Sequence, residues 1–221
     1  CVTLPFTEHT PSHWGDLSGS FCGENRQSPI DIVTSHVETD HNLGNFTFVN
    51  FNSRSAIKSI TNNRHTENEV EVSGGGLSAT YSTIQFHFHW GDTEHHPGSE
   101  HTVDGLRYPM EMHIVSLKKG LSVSQAIEDS SGIAVLGFFL NVSCWYQKHE
   151  LNINSSFSID DLIGNVDLTK FYRYMGSLTT PSCNEAVVWT VFQQPINISK
   201  NLVSCTVRIY VGSMKVEGHD Q

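Results

Sequence analysis

The chain has 221 residues, of which 38% are hydrophobic and 10% aromatic, a composition too apolar for a disordered chain and long enough for one large domain. Its 23 acidic residues outnumber the 13 lysines and arginines, so the formal net charge is −10. This balance argues against a nucleic-acid-binding protein, which needs clustered Lys and Arg to neutralise phosphates, and against docking on an anionic membrane. The 13 histidines are as numerous as all the lysines and arginines together.

Short segments rich in β-branched and aromatic residues dominate the chain and predict a mainly β fold. In chain order the predicted strands are Phe46–Phe51, Ile84–Trp90, Met110–Leu117, Ala134–Val142, Val187–Phe192 and Val203–Val211. Two short helices are predicted at Ser122–Asp129 and Ser156–Ile163, where Ser or Asp can cap and Ile or Leu recurs at helical spacing. No repeat, low-complexity tract or linker interrupts the pattern, which predicts a single domain over residues 1–221.

Two features of the sequence favour an oxidising compartment. Four N-x-S/T sequons mark candidate glycosylation sites at Asn45, Asn141, Asn154 and Asn197, although such tripeptides also arise by chance in a chain rich in Ser, Thr and Asn. The five cysteines show no C-x-x-C or zinc-finger spacing and therefore favour disulfides. We expect an extracellular protein in a processed form, secreted or attached to the outer face of the plasma membrane, with no lipid anchor visible in the chain.

The segment TIQFHFHW, residues 83–90, carries the strongest chemical signal in the sequence. Side chains of a strand alternate between two faces, so Gln85, His87 and His89 share one face. The opposite face is expected to be apolar and to hold Ile84, Phe86, Phe88 and Trp90. Two imidazoles at positions i and i+2 then point into the same space.

A second strand repeats this arrangement, with Met110, Met112 and Ile114 alternating with Glu111, His113 and Val115. If the two strands pair antiparallel, His113 completes a set of three imidazoles with His87 and His89. Three imidazoles with one open coordination position are typical of a catalytic zinc site. The alternative interpretation is that these histidines are polar residues on a solvated face of the sheet. Gln85 and Glu111 lie two positions before a histidine, where they can hold the ring of a metal ligand in place.

Several short sequence motifs also occur in a fixed order along the chain, well beyond these two strands. They are His13–Trp14, Gln27–Asp31 (QSPID), Phe86–Gly91 (FHFHWG), Ser99–Asp104 (SEHTVD), Glu111–His113 (EMH), Ala134–Gly137 (AVLG), Gly176–Pro181 (GSLTTP) and Val188–Val191 (VWTV). In order and spacing they resemble the α-class carbonic anhydrases, from about residue 13 to residue 192. The resemblance implies a large, mostly antiparallel twisted β-sheet with a few short peripheral helices, and zinc at the base of a cone-shaped cavity.

The resemblance also implies roles for individual residues. His87, His89 and His113 correspond to the zinc ligands, and Gln85 and Glu111 to their hydrogen-bonding partners. Thr179 corresponds to the residue that orients zinc-bound hydroxide while donating its own proton to Glu100. His65 corresponds to the proton shuttle, a role that suits a side chain titrating near neutrality. The substrate pocket is expected to be formed by Val115, Val135, Leu178, Thr180 and Trp189.

The implied activity is reversible hydration of carbon dioxide to bicarbonate and a proton, by attack of zinc-bound hydroxide. Sulfonamide-type inhibitors are expected to bind, and the oligomeric state stays open. The alternative is a catalytically silent, carbonic-anhydrase-like adhesion or receptor module. Silent members typically lose a zinc histidine, and the presence of all three here favours the enzyme.

The family comparison extends to the cysteines and to the ends of the chain. Cys22 and Cys183 correspond to a disulfide of extracellular members, whereas the pairing of Cys1, Cys144 and Cys205 stays open. The chain ends without the segment that in the family offers a backbone carbonyl to one zinc histidine, which here corresponds to His89. We therefore expect either that this C-terminal segment is missing from the chain or that His89 is oriented differently. The N-terminal part of the chain also lacks the tyrosine that in the family often lines the path of the proton.

Overall fold

The computed structural model of the protein describes residues 10–55, 70–91, 96–143 and 157–199. Several residues and segments named above lie outside the described residues, namely Cys1, His65, Cys144, Asn154, Cys205 and the predicted strand Val203–Val211. Within the described ranges, no helix has both the length and the apolar character needed to cross a bilayer.

Ten strands and a few short helices make up the described part of the chain. The strands are β1 (Asp31–Ile32), β2 (Phe46–Val49), β3 (Glu71–Gly74), β4 (Tyr81–Trp90), β5 (Thr102–Val103), β6 (Leu106–Arg107), β7 (Met110–Lys118), β8 (Ile133–Ser143), β9 (Phe171–Gly176) and β10 (Val187–Ser199). The α-helices are α1 (Val123–Ala126) and α2 (Ile159–Ile163), and two 3₁₀ helices cover Pro11–Asp16 and Thr34–His36. This content confirms the predicted mainly β fold.

The main sheet contains seven strands in the order β2-β3-β4-β7-β8-β10-β9. All its neighbouring strands are antiparallel except β8 and β10, which are parallel. A smaller sheet has the order β1-β5-β6. The predicted large, mostly antiparallel sheet is therefore confirmed, and β4, β7 and β8 lie at its centre.

The main sheet curls until its first and last strands approach each other. Phe46 on β2 and Phe171 on β9 belong to opposite ends of the strand order, yet their ring centroids are 5.0 Å apart. The guanidinium of Arg173 lies 5.9 Å from the Phe46 ring centroid and 5.5 Å from that of Phe171. It also donates hydrogen bonds to the hydroxyl of Thr190 from Nε at 3.2 Å and Nη2 at 2.9 Å. Aromatic and cation–π contacts thus join the two edges of the curled sheet.

Alternation along the central strands divides the buried side chains between two cores. The core inside the curl includes Met110, Met112, Ile114, Leu136, Phe138 and Phe192. The core on the other face includes Val115, Val135, Phe139, Val187, Trp189 and Val191. The second face is also the one that carries Glu111 and His113, because these residues alternate with the methionines of β7.

Two details of the predicted strands are wrong. Ile84 does not join the apolar face, because a register shift between Thr83 and Gln85 leaves its side chain 37% exposed. Strand β10 does not end at Phe192 but continues to Ser199 after a second irregularity, between Phe192 and Ile196.

Both predicted helices exist but are shorter than predicted. Ser122 caps α1 and Ser158 caps α2, each in a capping box in which serine and the third residue of the helix exchange hydrogen bonds. The helix that follows each cap is at most five residues long. The helices are therefore peripheral, and the sheet positions the site.

Candidate metal centre

The register between β4 and β7 brings the three predicted histidines together. His87 lies directly opposite His113, and His89 lies opposite Glu111. The ring centroids of the three histidines are 4.6 to 5.2 Å apart. One nitrogen from each ring lies within 4.8 Å of the others, which is a group that can hold a metal ion.

Hydrogen bonds determine which ring nitrogens are available for a metal. Gln85 Oε1 lies 3.2 Å from His87 Nδ1, and Glu111 Oε1 lies 2.7 Å from His113 Nε2. Because these oxygens accept, the hydrogens are placed on His87 Nδ1 and His113 Nε2. His87 Nε2 and His113 Nδ1 are left for the metal, and His89 Nε2 lies 3.1 Å from His113 Nδ1.

A buried carboxylate lies beside the same centre. Glu100 Oε2 is 3.4 Å from His89 Nε2 and 3.8 Å from His113 Nδ1. Among the described residues this oxygen has no hydrogen-bond partner, although it is buried. Burial raises the pKa of Glu100, opposed by the nearby His113 and by a hydrogen bond with Thr179. An oxygen without a partner beside three imidazoles fits a site made for a cation.

Behind His113 lies a fully buried hydrogen-bonded cluster. Glu111 Oε1 lies 2.7 Å from His101 Nδ1, and Glu111 Oε2 accepts from the His101 backbone amide at 2.9 Å. Burial alone would raise the pKa of Glu111, but the charge of His113 and hydrogen bonds from both histidines lower it well below its usual range. Burial alone would lower the pKa of His113, but the charge of Glu111 and its hydrogen bond raise it. Glu111 is therefore an ionised acceptor that holds the His113 ring in place.

His101, Glu111 and His113 form a second group whose atoms are close enough to hold a metal. These three side chains are at most 2% exposed, and their facing atoms already pair in hydrogen bonds of 2.7 Å. A metal there would have to break those bonds and reach a fully buried space. The group formed by His87, His89 and His113 is therefore the better candidate, because His87 and His89 are partly exposed.

The residues expected to form the substrate pocket lie close to this centre in the sheet. Val115 pairs with Val135, and Val135 pairs with Trp189, so the three form one row across β7, β8 and β10. The Trp189 ring centroid lies 4.9 Å from that of His113. Leu178 packs against the same core. The exception is Thr180, whose exposed side chain is not part of this row.

The segment after β9 carries Thr179 and is tied to an N-terminal segment. Cys22 and Cys183 form a disulfide, which closes a separation of 161 residues. The side chain of Gln27 contacts both ends of the Thr179 segment: it accepts from Ser177 Oγ at 3.3 Å and donates to the Cys183 carbonyl at 3.4 Å. The disulfide and this amide together restrict where Thr179 can lie.

Sequence reasoning missed two residues of the buried cluster. The Tyr174 hydroxyl lies 2.7 Å from His101 Nε2 and donates to Ser28 Oγ at 2.9 Å. This chain of contacts continues the hydrogen bonds that begin at His113. Tyr174 is 73 positions from His101 and shows no motif of its own, so the contact follows only from how β9 and the segment before β5 pack in the fold.

The environment of His87 predicts how the metal-free protein responds to acid. Burial, and next the charge of His113, lower the pKa of His87 from 6.5 to about 4. Between these values the unfolded chain binds a proton that the folded chain does not, so the His87 contribution to stability falls as the pH falls from 6.5 to 4. We expect His87→Gln to reduce this loss in urea unfolding of the metal-free protein, whereas His36→Gln, at an exposed position, leaves it unchanged. Equal acid sensitivity of wild type and His87→Gln would contradict the prediction.

Comparison with known proteins agrees with this geometry. The sequence profile of the eukaryotic-type carbonic anhydrase family matches residues 9–215. Carbonic anhydrase 4 of Oryctolagus cuniculus is 39% identical over 82% of this chain and 66% of its own length. Putative carbonic anhydrase 3 of Caenorhabditis elegans is 34% identical over 85% of this chain and 83% of its own length. Carbonic anhydrase 3 of Homo sapiens is 33% identical over 86% of this chain and 80% of its own length. The match therefore spans just under two thirds of the first of these relatives, and the chain belongs to the eukaryotic-type carbonic anhydrase family.

Proposed function

We propose that this protein is a zinc enzyme that reversibly hydrates carbon dioxide to bicarbonate and a proton. The observation that carries the proposal is the convergence of one nitrogen each from His87, His89 and His113 within 4.8 Å. Family membership supports the same activity. A silent module of this fold would have no need for three converging imidazoles.

In this proposal His87 holds zinc through Nε2 and His113 through Nδ1, because their other nitrogens face Gln85 and Glu111. His89 supplies Nε2, the atom closest to His113 Nδ1. When bound, zinc supplies the Lewis acidity that makes a water molecule nucleophilic near neutral pH. Three protein ligands leave one position of a tetrahedral ion open for this chemistry.

Thr179 and Glu100 orient the nucleophile in this proposal. An ionised carboxylate only accepts hydrogen bonds, so the hydroxyl of Thr179 donates its proton to Glu100. The Thr179 oxygen is then restricted to accepting a hydrogen bond from the nucleophilic water. A lone pair of that water is thereby turned towards the substrate, which contributes to catalysis by orientation.

The apolar row of Val115, Val135 and Trp189 is the proposed resting surface for carbon dioxide, with Leu178 beside it. Carbon dioxide carries no charge and binds best to such a surface. Thr180 is proposed to line the entrance, which agrees with its exposed side chain. The zinc ligands and this row lie on the same face of the sheet, so substrate and nucleophile meet there.

We further propose that the protein works outside the cell as a single domain. The disulfide Cys22–Cys183 supports an oxidising compartment. Carbon dioxide and bicarbonate are the proposed small-molecule partners, and sulfonamide-type compounds are the proposed inhibitors.

Metal removal tests the proposed activity. The purified protein should contain one zinc per chain and hydrate carbon dioxide in a stopped-flow assay, lose the activity with a chelator and regain it with zinc. His89→Ala should lose both zinc and activity, whereas His36→Ala, on the exposed 3₁₀ helix, should keep both. Substoichiometric zinc with hydration no faster than the uncatalysed reaction would overturn the enzyme, and stoichiometric zinc without hydration would favour the silent module.

His65 is proposed to relay the proton to buffer. His65→Ala should lower kcat by about a hundredfold at low buffer concentration, because an imidazole that titrates near neutrality is lost from the relay. The value of kcat/KM should stay nearly unchanged, and added imidazole should restore kcat. Equal losses in kcat and kcat/KM, with no rescue by imidazole, would show that His65 is not the shuttle.

A further inference from the structure

Two of the four sequons lie next to each other in the folded sheet. In the parallel pair of β8 and β10, Asn141 is the register partner of Asn197, and the next two positions of each sequon are also paired. In sequence the two asparagines are far apart. The fold therefore combines two separate sequons into one surface feature.

The two asparagine side chains lie on the same face of this strand pair and are exposed. The residue before each, Leu140 and Ile196, is buried in the core inside the curl. Because strand side chains alternate, Asn141 and Asn197 both point to the opposite face. Within the part of the chain that the structure describes, neither side-chain amide makes a hydrogen bond, so neither is used to hold the sheet together.

The strands that flank this pair elsewhere end before the two asparagines. Strand β7 pairs with β8 only as far as Leu140, and β9 pairs with β10 only as far as Phe192. In the described part of the sheet, the nearest strand neighbour of each asparagine is therefore the other asparagine. An oligosaccharide on one of them has its main steric neighbour in the other.

We propose that Asn141 and Asn197 form a single N-glycosylation locus, at which a folded chain carries one oligosaccharide and not two. The proposal rests on the extracellular location proposed above. In the transfer, Nδ2 of one asparagine loses a proton and bonds to the anomeric carbon of the first N-acetylglucosamine. The bond from that carbon to the diphosphate of a lipid-linked donor breaks, and the lipid diphosphate leaves with the electron pair.

Strand spacing is the physical reason for single occupancy. Neighbouring strands lie about 4.8 Å apart, and in-register side chains of a parallel pair leave the sheet side by side. The glycosidic amide is planar, so the first sugar continues in the direction of the asparagine side chain. A pyranose ring with its N-acetyl and hydroxymethyl groups is wider than the strand spacing. Two such sugars side by side would crowd each other, and relieving the crowding would require the two asparagine side chains to turn apart or the strand pair to open.

The test counts sugars on the full chain secreted from cells whose glycans are kept in the oligomannose form. In the double variant N45Q/N154Q only the paired sequons remain, and an endoglycosidase that leaves one N-acetylglucosamine per site allows counting by intact mass. We expect one sugar per molecule as the main species, found on Asn141 in some molecules and on Asn197 in others. N45Q/N141Q/N154Q and N45Q/N154Q/N197Q should each still carry one sugar.

The matched control is N141Q/N154Q, which keeps Asn45 and Asn197. Asn45 comes just before β2 and Asn197 lies on β10, so this variant should carry two sugars. Two sugars as the main species of N45Q/N154Q would overturn the single locus. A sugar on Asn45 with none on either paired asparagine would also overturn it, while leaving the extracellular location standing. No sugar on either paired asparagine in any of these variants would overturn the locus, but not the hydration of carbon dioxide, which is measured separately.

Discussion

The hydrogen-bond register between β4 and β7 is the constraint on which the site depends. It places His87 opposite His113 and His89 opposite Glu111, so that three imidazoles and one carboxylate share one face at the centre of the sheet. A slip of β4 by one residue would turn His87 and His89 to the other face, towards the core inside the curl, and away from His113. The apolar residues that alternate with them, Met112 on β7 and Phe88 on β4, pack in or against that core and oppose such a slip.

Glu111 connects the metal centre to the rest of the molecule. Its carboxylate contacts His113 on one side and His101 on the other, and from His101 the contacts continue through Tyr174 to Ser28. Ser28 exchanges hydrogen bonds with Ser177 at the start of the Thr179 segment. His113 and the segment that carries Thr179 are thus linked by one continuous set of buried and partly buried hydrogen bonds.

Much of this was predictable from sequence because strand alternation is a local signal. The segments around His87 and His113 showed their apolar and polar faces directly, and five of the six predicted strands are found in the described residues. The position of Ile84 was not predictable, because a β-bulge breaks the alternation without changing the composition. Strand β10 continued past Pro195, a residue that usually ends or interrupts a strand, through a shift of register.

Contacts between residues far apart in sequence were the other part that could not be predicted from residue patterns. Tyr174 and His101 meet only because β9 and the segment before β5 pack on the same face of the sheet. No sequence motif predicts this packing. The pairing of Asn141 with Asn197 likewise depends on which strands become neighbours in the parallel part of the sheet. Such features follow from topology, which sequence alone indicated here only through family resemblance.

The most direct test of this account is a crystal structure of the zinc-loaded protein with the metal located by its anomalous signal. We predict one zinc at about 2.0–2.1 Å from His87 Nε2, His89 Nε2 and His113 Nδ1, with Glu111 still hydrogen-bonded to His113 Nε2 and no protein atom in the fourth position. Zinc bound among His101, Glu111 and His113, or a fourth position closed by Glu100, would contradict it.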